Sequence, residues 1–333
     1  MTMKFRASVA LLSLAALSLS ACGSTNSNSS GEEVTLKLAM VDNTTSNYYK
    51  GAQAIAEEVE KATDGKVKIN VVAGGALGDE RGTVEMAMNG DLDIATAANP
   101  VVTNWIPEMK ILDQAFLWDN AQQAHAAVDG EVGKLIEEKA KGLGLHVLGY
   151  MESGFRNVFS KNPIEKIEDF KGVKIRTMQN EYHMGAFESF GAMPVAMPAG
   201  DQFTALQQGT IDAAENATSN MLVNKFYEVI KNHTTTNHAF VYILVMMSDK
   251  AWKKIPEDLR EPVAKAIEQG AKRQREFLVE ANEEAATKLK DLGVKFHEVD
   301  RASLKKKYEE LAASKGWTFD PTWQSAVDSA LQK

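Results

Sequence analysis

Apolar residues alternate with polar ones at Val34, Leu36, Leu38 and Met40, a period of two that predicts a strand over 34–40. The polar run Asp42-Asn43-Thr44-Thr45-Ser46-Asn47 is rich in helix-capping side chains. Tyr49, Ala52, Ala56 and Val59 then recur on one face of a helix reaching about Ala62. Asp64-Gly65 reads as a turn, and Val67, Ile69 and Val71 as the start of a second strand. Gly74-Gly75-Ala76-Leu77-Gly78 leads into a helix over 80–89, and Leu92 to Ala98 reads as a buried strand. This alternation predicts an α/β fold, in which ligands collect at the carboxyl ends of strands.

Further along, helices are predicted over 121–141 and 181–190, and another ends at Gly209 after Thr204 to Gln208. Strands are predicted over 145–150, 174–176, 211–213 and 240–247. From Pro256 a helix-favouring composition continues almost to Lys290, long enough to pass along two lobes or to contain a break. A strand over 294–299 and a helix over 301–314 follow. A chain of 333 residues exceeds the size at which one core keeps growing, so two lobes are expected.

The first residues follow a different logic. Lys4 and Arg6 precede an apolar run from Ser8 to Ala21 that is short for a membrane span. It ends in Leu19-Ser20-Ala21-Cys22-Gly23, which resembles the lipobox of a bacterial lipoprotein. That resemblance implies a signal peptide over 1–21, a lipidated Cys22, and a flexible tether over 22–33 joining the membrane to a water-soluble body. The alternative is an ordinary secretory signal with a coincidental cysteine.

The net charge of −8 becomes −10 once Lys4 and Arg6 are removed, which argues against nucleic acid as a partner. The single cysteine excludes an internal disulfide framework and a multi-cysteine metal site. No Walker loop, Gly-x-Gly-x-x-Gly, Gly-x-Ser-x-Gly or His-Glu-x-x-His pattern occurs, so neither an enzyme nor a cofactor or metal is expected. His233 and His238, five apart, are a weak zinc signal and read better as polar loop or strand-edge residues.

Polar side chains beside strand ends carry the stronger signal. Arg156 precedes one candidate strand, Arg176 closes the next, and Asn216 follows the short strand at 211–213. Two guanidiniums and an amide could converge there on one small anion, since arginine's planar fork matches a carboxylate. The competing reading pairs each arginine with an acidic neighbour such as Glu152 or Glu181.

The segments Leu77-Gly78-Asp79-Glu80-Arg81, Gly90-Asp91-Leu92-Asp93, Gly154-Phe155-Arg156, Asp169 to Arg176, Phe203 to Asp212 with Glu215-Asn216, and Phe226-Tyr227-Glu228-Val229 run in order through nearly all of 34–333. In these the chain resembles the DctP-type extracytoplasmic solute-binding proteins of tripartite ATP-independent periplasmic (TRAP) transporters. The resemblance implies a two-lobed periplasmic-binding-protein fold (type II-like) with a hinge and a long helix spanning both lobes. It places lobe 1 at 34–153 plus 242–281 and lobe 2 at 154–241 plus 282–333. Arg176 corresponds to the arginine that clamps the ligand carboxylate, Arg156 to a second arginine on the same group, and Asn216 to an asparagine contacting the ligand. Asn43 and Asn47 match the first-strand loop that meets the distal end, while Glu80 and Asn99 fall in other cleft-lining regions. The implied protein is a monomeric, extracytoplasmic carrier that delivers its ligand to membrane subunits.

The stretch Arg176-Thr177-Met178-Gln179-Asn180 resembles members handling sugar acids such as uronates and aldonates, with Gln179 among the residues able to meet hydroxyls. C4-dicarboxylates, sialate and other monocarboxylates remain alternatives, as do an ATP-driven transporter's binding protein and a secreted enzyme. A dicarboxylate would need a second cationic contact, for which Arg81 is the nearby candidate. Where relatives commonly carry Phe after a Met-Pro-like pair, this chain has Met197-Pro198-Ala199. Either more room or another aromatic, Tyr182 or Phe240, is expected in its place.

Overall fold

The structure, a computed structural model, describes residues 33–333, so the segment expected to be a signal peptide and Cys22 lie outside the described residues. The initial alternation forms β1 (Val34–Ala39), whose Leu36 and Leu38 are buried. Ser46 then caps α1 (Asn47–Ala62) by accepting the Tyr49 N–H at 3.0 Å. β2 (Val67–Val72), α2 (Glu80–Met88), β3 (Ile94–Ala98) and α3 (Asn99–Val102) follow. The helix expected over 121–141 is two, α4 (Ala121–Val128) and α5 (Glu131–Lys141). The chain turns so sharply between them that a Cβ on Gly133 would sit 2.0 Å from the Val128 carbonyl oxygen. β4 (Leu145–Phe155) runs five residues past the expected strand.

β5 (Asn157–Ser160), β6 (Lys174–Thr177), α6 (Glu181–Ser189), β7 (Met193–Ala196), α7 (Gln202–Gln208), β8 (Ala213–Asn216), α8 (Thr218–Val223) and β9 (Asn232–Thr235) come next. After them lie β10 (Phe240–Ser248), α9 (Asp249–Lys254), α10 (Glu257–Asp291), β11 (Lys295–Glu298), α11 (Arg301–Lys315) and α12 (Pro321–Leu331). The strands form two sheets, ordered β2-β1-β3-β10-β4 and β11-β9-β5-β8-β6-β7. In the first, β1 is parallel to β2 and β3, whereas β10 is antiparallel to β3 and β4. In the second, β6 is parallel to β7 and β8, and β5 is antiparallel to β8 and β9. Each sheet has its own apolar clusters, so the fold is the expected two-lobed α/β architecture.

Four connections join the lobes, the last of them 316–320 between α11 and α12. Arg156 alone separates β4 of the first sheet from β5 of the second, and 236–239 return the chain from β9 to β10. These two crossings pair with each other: the Arg156 N–H donates to the Ala239 carbonyl at 2.9 Å, and the His238 N–H to the Arg156 carbonyl at 3.3 Å. The third connection is α10, continuous for 35 residues despite Pro262. Val263, Ile267 and Ala271 pack in the first lobe's core, and Ala285 and Leu289 in the second's. Gly270 lets α10 approach α1 closely, because a Cβ there would lie 2.5 Å from the Ile55 Cα. One turn on, the buried Gln274 side chain accepts the Glu152 N–H at 2.7 Å and donates to the Glu152 carbonyl and the Asn47 amide oxygen. The bridging helix is thereby tied to the β4 segment just ahead of the crossing.

The end of the chain departs from its expected place in lobe 2. α11 does pack there, through Leu304 and Tyr308. α12 instead lays Trp323, Val327 and Ala330 into the first lobe's core, and the Gln123 amide donates to the Leu331 carbonyl at 2.9 Å. Its apolar stripe is covered only by returning across the boundary to α4 and α5.

Candidate functional site

Between the sheets lies a cavity of about 480 Å³, with Val41 and Glu80 on the first-lobe wall and Arg176, Met178 and Ala199 on the other. A narrower inner extension adds Asp42, Tyr48, Ser153, Arg156 and Asn216. The loops involved follow β1, β3, β6 and β8, so the cavity collects at the carboxyl ends of strands.

Arg176 sits in the middle strand of a parallel trio, the residue only 3 % exposed. Its Nε and Nη2 donate to the Met197 carbonyl at 3.0 and 2.8 Å. Its Nη1 stands 3.8 Å from the Glu215 carboxylate and makes no hydrogen bond among the described residues. Burial lowers its pKa to about 10, against the opposing pull of Glu215. The fold holds a desolvated cation with unused donors at the cavity wall.

Arg156 is differently employed. Its Nε and Nη2 donate to the two Glu215 carboxylate oxygens, the latter at 2.8 Å, and Nη2 also reaches the Glu215 carbonyl at 2.7 Å. Nη1 donates to Asn216 Oδ1 at 2.8 Å and to Ser153 Oγ at 3.1 Å, so all five N–H groups have partners. Burial would lower its pKa, but the charge and hydrogen bonds of Glu215 outweigh that and raise it. Burial likewise acts to raise the Glu215 pKa, and Arg156 overrides it to hold the carboxylate well below its usual range. Arg156 therefore positions Asn216, whose Oδ1 also accepts from Ser153 Oγ and the Ala217 N–H. The Asn216 Nδ2 is left without a protein acceptor among the described residues.

Of the sequence candidates, Arg176, Arg156, Asn216, Glu80 and Gln179 line this space. Asn43, Asn47 and Asn99 do not, because structural hydrogen bonds engage their amides. Asn43 Oδ1 accepts from the Thr45 N–H and hydroxyl. Asn47 accepts from Gln274 at 2.6 Å and faces Ser219 across the lobes at 3.4 Å. Asn99 donates to Asp113 at 2.7 Å and accepts the Tyr242 N–H at 2.9 Å. Neither aromatic proposed to replace the missing Phe lines the cavity: Tyr182 packs on Trp317 at 4.3 Å and Phe240 on Phe155 at 5.2 Å. The aromatic that does line it is Tyr48, on α1. Glu152 lies instead 2.5 Å from His125, and His233 is a buried β9 residue stacked on Phe296.

Sequence reasoning missed Glu215 as the counter-ion and Asp42 as a cavity carboxylate. Adjacency to Asn216 on one short strand was the available signal for Glu215. Position at the end of β1, ahead of the capping residues, was the signal for Asp42. Burial, reinforced by the Glu80 charge, raises the Asp42 pKa to about 7. Burial also raises Glu80, although the Ala98 N–H at 3.0 Å and both arginines pull the other way.

Another buried carboxylate, Asp113, accepts from Asn99, Thr103 and Asn180, each at 2.7 Å, and links α3 to the start of α6. Burial raises its pKa to about 7 against those bonds. Burial also lowers His183 to about 3 and His233 to about 4. Asp42 and Asp113, ordinarily near 3.8, bind more protons folded than unfolded up to about pH 7, so their penalty is full above 7 and fades below it. The two histidines, ordinarily near 6.5, have the opposite sign and lose stability as pH falls below that value. Ligand-free protein should therefore gain melting temperature from pH 8 to about 6.5, stay nearly level, and lose it below about 4.5 as Glu215 adds its own loss. Calorimetric scans across that range test this, and Asp113→Asn should flatten the alkaline limb. A melting temperature that climbs steadily to pH 8 contradicts it.

Residues 38–315 match the family described as bacterial extracellular solute-binding protein, family 7. A solute-binding protein of Verminephrobacter eiseniae is 34% identical over 75% of this chain and 76% of its own. The TRAP periplasmic solute-binding protein of Citrobacter koseri, solved with bound D-glucuronate, superposes with TM-score 0.82 at 30% identity, covering 89% of this chain and 98% of that one. The sugar acid binding protein DctPAm of Advenella mimigardefordensis, solved with galactonate, gives TM-score 0.84 at 30% identity over 90% and 99%. The match spans both lobes, the crossing at Arg156 and the strands that carry Arg176 and Asn216, and the chain belongs to the DctP-type family 7 of extracytoplasmic TRAP solute-binding proteins, which are non-catalytic components of transport.

Proposed function

We propose that this protein captures a sugar acid, a uronate or aldonate, by an Arg176–carboxylate clamp and presents it to TRAP membrane subunits. The observation that carries the reading is the buried Arg176 guanidinium with Nη1 unbonded at the cavity wall. A carboxylate arriving there gains charge-assisted hydrogen bonds that Arg156, already saturated, has no donors left to make. Asn216 Nδ2 and Gln179 add polar contacts, and Met178 and Tyr48 give the ligand apolar surface. The two relatives solved with glucuronate and galactonate support the sugar-acid assignment.

Closure of the lobes excludes water, which strengthens the ion pair, so the ligand shifts an open–closed equilibrium toward the closed form. The hinge is the paired crossing at Arg156 and 236–239. Lobe 1 comprises 34–153, 242–281 and α12, and lobe 2 the remaining described chain. The lipobox-like Leu19 to Gly23 supports attachment through a lipidated Cys22, with a monomeric body on the tether.

Thermal-shift screening of C4 to C6 aldonates, uronates and dicarboxylates, followed by calorimetry, tests the ligand class, because a ligand that binds only the native state raises its melting temperature. A hydroxylated acid should emerge. Stabilisation confined to uncharged sugars would contradict the clamp. Mass spectrometry of the membrane fraction, expected to show a diacylated Cys22, tests the anchor.

A further inference from the structure

The charges around the cavity also determine what the far end of the ligand can be. Three guanidiniums line the cavity and its inner extension. Arg156 is neutralised by Glu215. Arg81 is an exposed residue on α2, 3.4 Å from Glu85 and leaning on the Trp105 ring. Arg176 alone among the three is buried with an Nη1 that has no hydrogen bond among the described residues. There is one guanidinium with capacity, and so one carboxylate position.

Across the cavity stand Asp42 and Glu80. Neither has a salt-bridge partner among the described residues. Glu80 uses one oxygen on the Ala98 N–H. Beyond its own backbone N–H, the Asp42 carboxylate has no protein donor among the described residues, although it is part-buried and faces the same space as the Arg176 donors. A carboxylate without a side-chain donor, facing a guanidinium with an unbonded nitrogen, is complementary to a molecule carrying a carboxylate at one end and hydrogen-bond donors at the other. Hydroxyls satisfy that far wall. A second carboxylate brings no proton to it and adds a third negative charge beside two in a closing site, where like charges repel strongly. Rejection of that kind is how an interface separates molecules that otherwise share every contact.

We propose that Asp42, acting with Glu80, is a specificity element that accepts ligand hydroxyls and rejects a second carboxylate, so the protein binds hydroxylated monocarboxylates and not the corresponding diacids. The proposal rests on the Arg176 clamp described above.

The test compares acids that differ only at the terminal carbon, erythronate with tartrate and gluconate with glucarate, using the pair whose length the thermal-shift screen selects. In calorimetric titrations at pH 8, the diacid should bind at least about 100-fold more weakly than the monoacid. Asp42→Asn should narrow that ratio to below about 10-fold, as should Asp42→Ser, which guards against one poorly folded variant. A diacid that binds within about threefold of the monoacid, or a ratio unchanged in two folded Asp42 variants, overturns the proposal while leaving the clamp intact. Arg176→Ala, titrated with the same ligands, separates the two levels: binding that persists in it removes the clamp, and this inference with it.

Discussion

Arg176→Ala should weaken binding of the cognate acid by about 100-fold to 10,000-fold. The estimate follows from two charge-assisted hydrogen bonds at about 1.5–3 kcal/mol each, made in a site that closes away from water. Arg176→Lys should fall between the two, because it keeps the charge but loses the planar fork. The effect on the ligand-free protein runs the other way. Burial lowers the Arg176 pKa to about 10, so the fold opposes its charge at neutral pH. Removing that cation should leave the melting temperature unchanged or higher, a trade of stability for function. Calorimetric titration and thermal scans on the same sample measure both. Normal affinity in Arg176→Ala, or a collapse of stability without loss of affinity, would assign the residue a structural role instead.

Legibility followed locality. β1, α1 and the buried β10 were readable because period, capping and apolar runs are properties of neighbouring residues. Arg176 and Asn216 were readable as candidates because strand ends face a cleft in any α/β sheet. The strands β5, β7 and β9, four residues each, carry too few positions to show a period. α12 could be placed only by its partners, since its Trp323 and Val327 stripe would suit either lobe. The asparagines Asn43, Asn47 and Asn99 show the other limit. A capping-rich loop gives the residue types but not which amides close a turn, brace α10 or hold Asp113. Arg156 was placed at the correct strand edge, yet its saturation by Glu215 depends on two strands 59 residues apart meeting in register.

That register leads to the second large effect, Glu215→Gln. Glu215 is fully buried on β8, opposite Val158 of β5, and takes Arg156 through two nitrogens. Its charge also faces Arg176 Nη1 at 3.8 Å and His238 Nε2 at 3.3 Å. An amide there removes the only buried anion among these groups and turns a donor toward a guanidinium that is itself all donors. Breaking one partner of a buried ion pair costs about 3–5 kcal/mol, since the other charge is left desolvated and unpaired. Replacing both partners, in Arg156→Met with Glu215→Leu, should recover much of that loss by removing the stranded cation as well. Because the Glu215 pKa is depressed, its contribution is full above about pH 4.5 and fades only in acid. The deficit of Glu215→Gln in urea unfolding should therefore be nearly constant from pH 8 to 6 and shrink towards pH 3. Ligand affinity should fall too, because an Arg156 that has lost its anchor no longer fixes Oδ1 of the cavity-lining Asn216 at 2.8 Å. A loss below about 1 kcal/mol at pH 7 would mean that water reaches the pair and compensates it, and Arg156 would then be free to share the ligand carboxylate with Arg176.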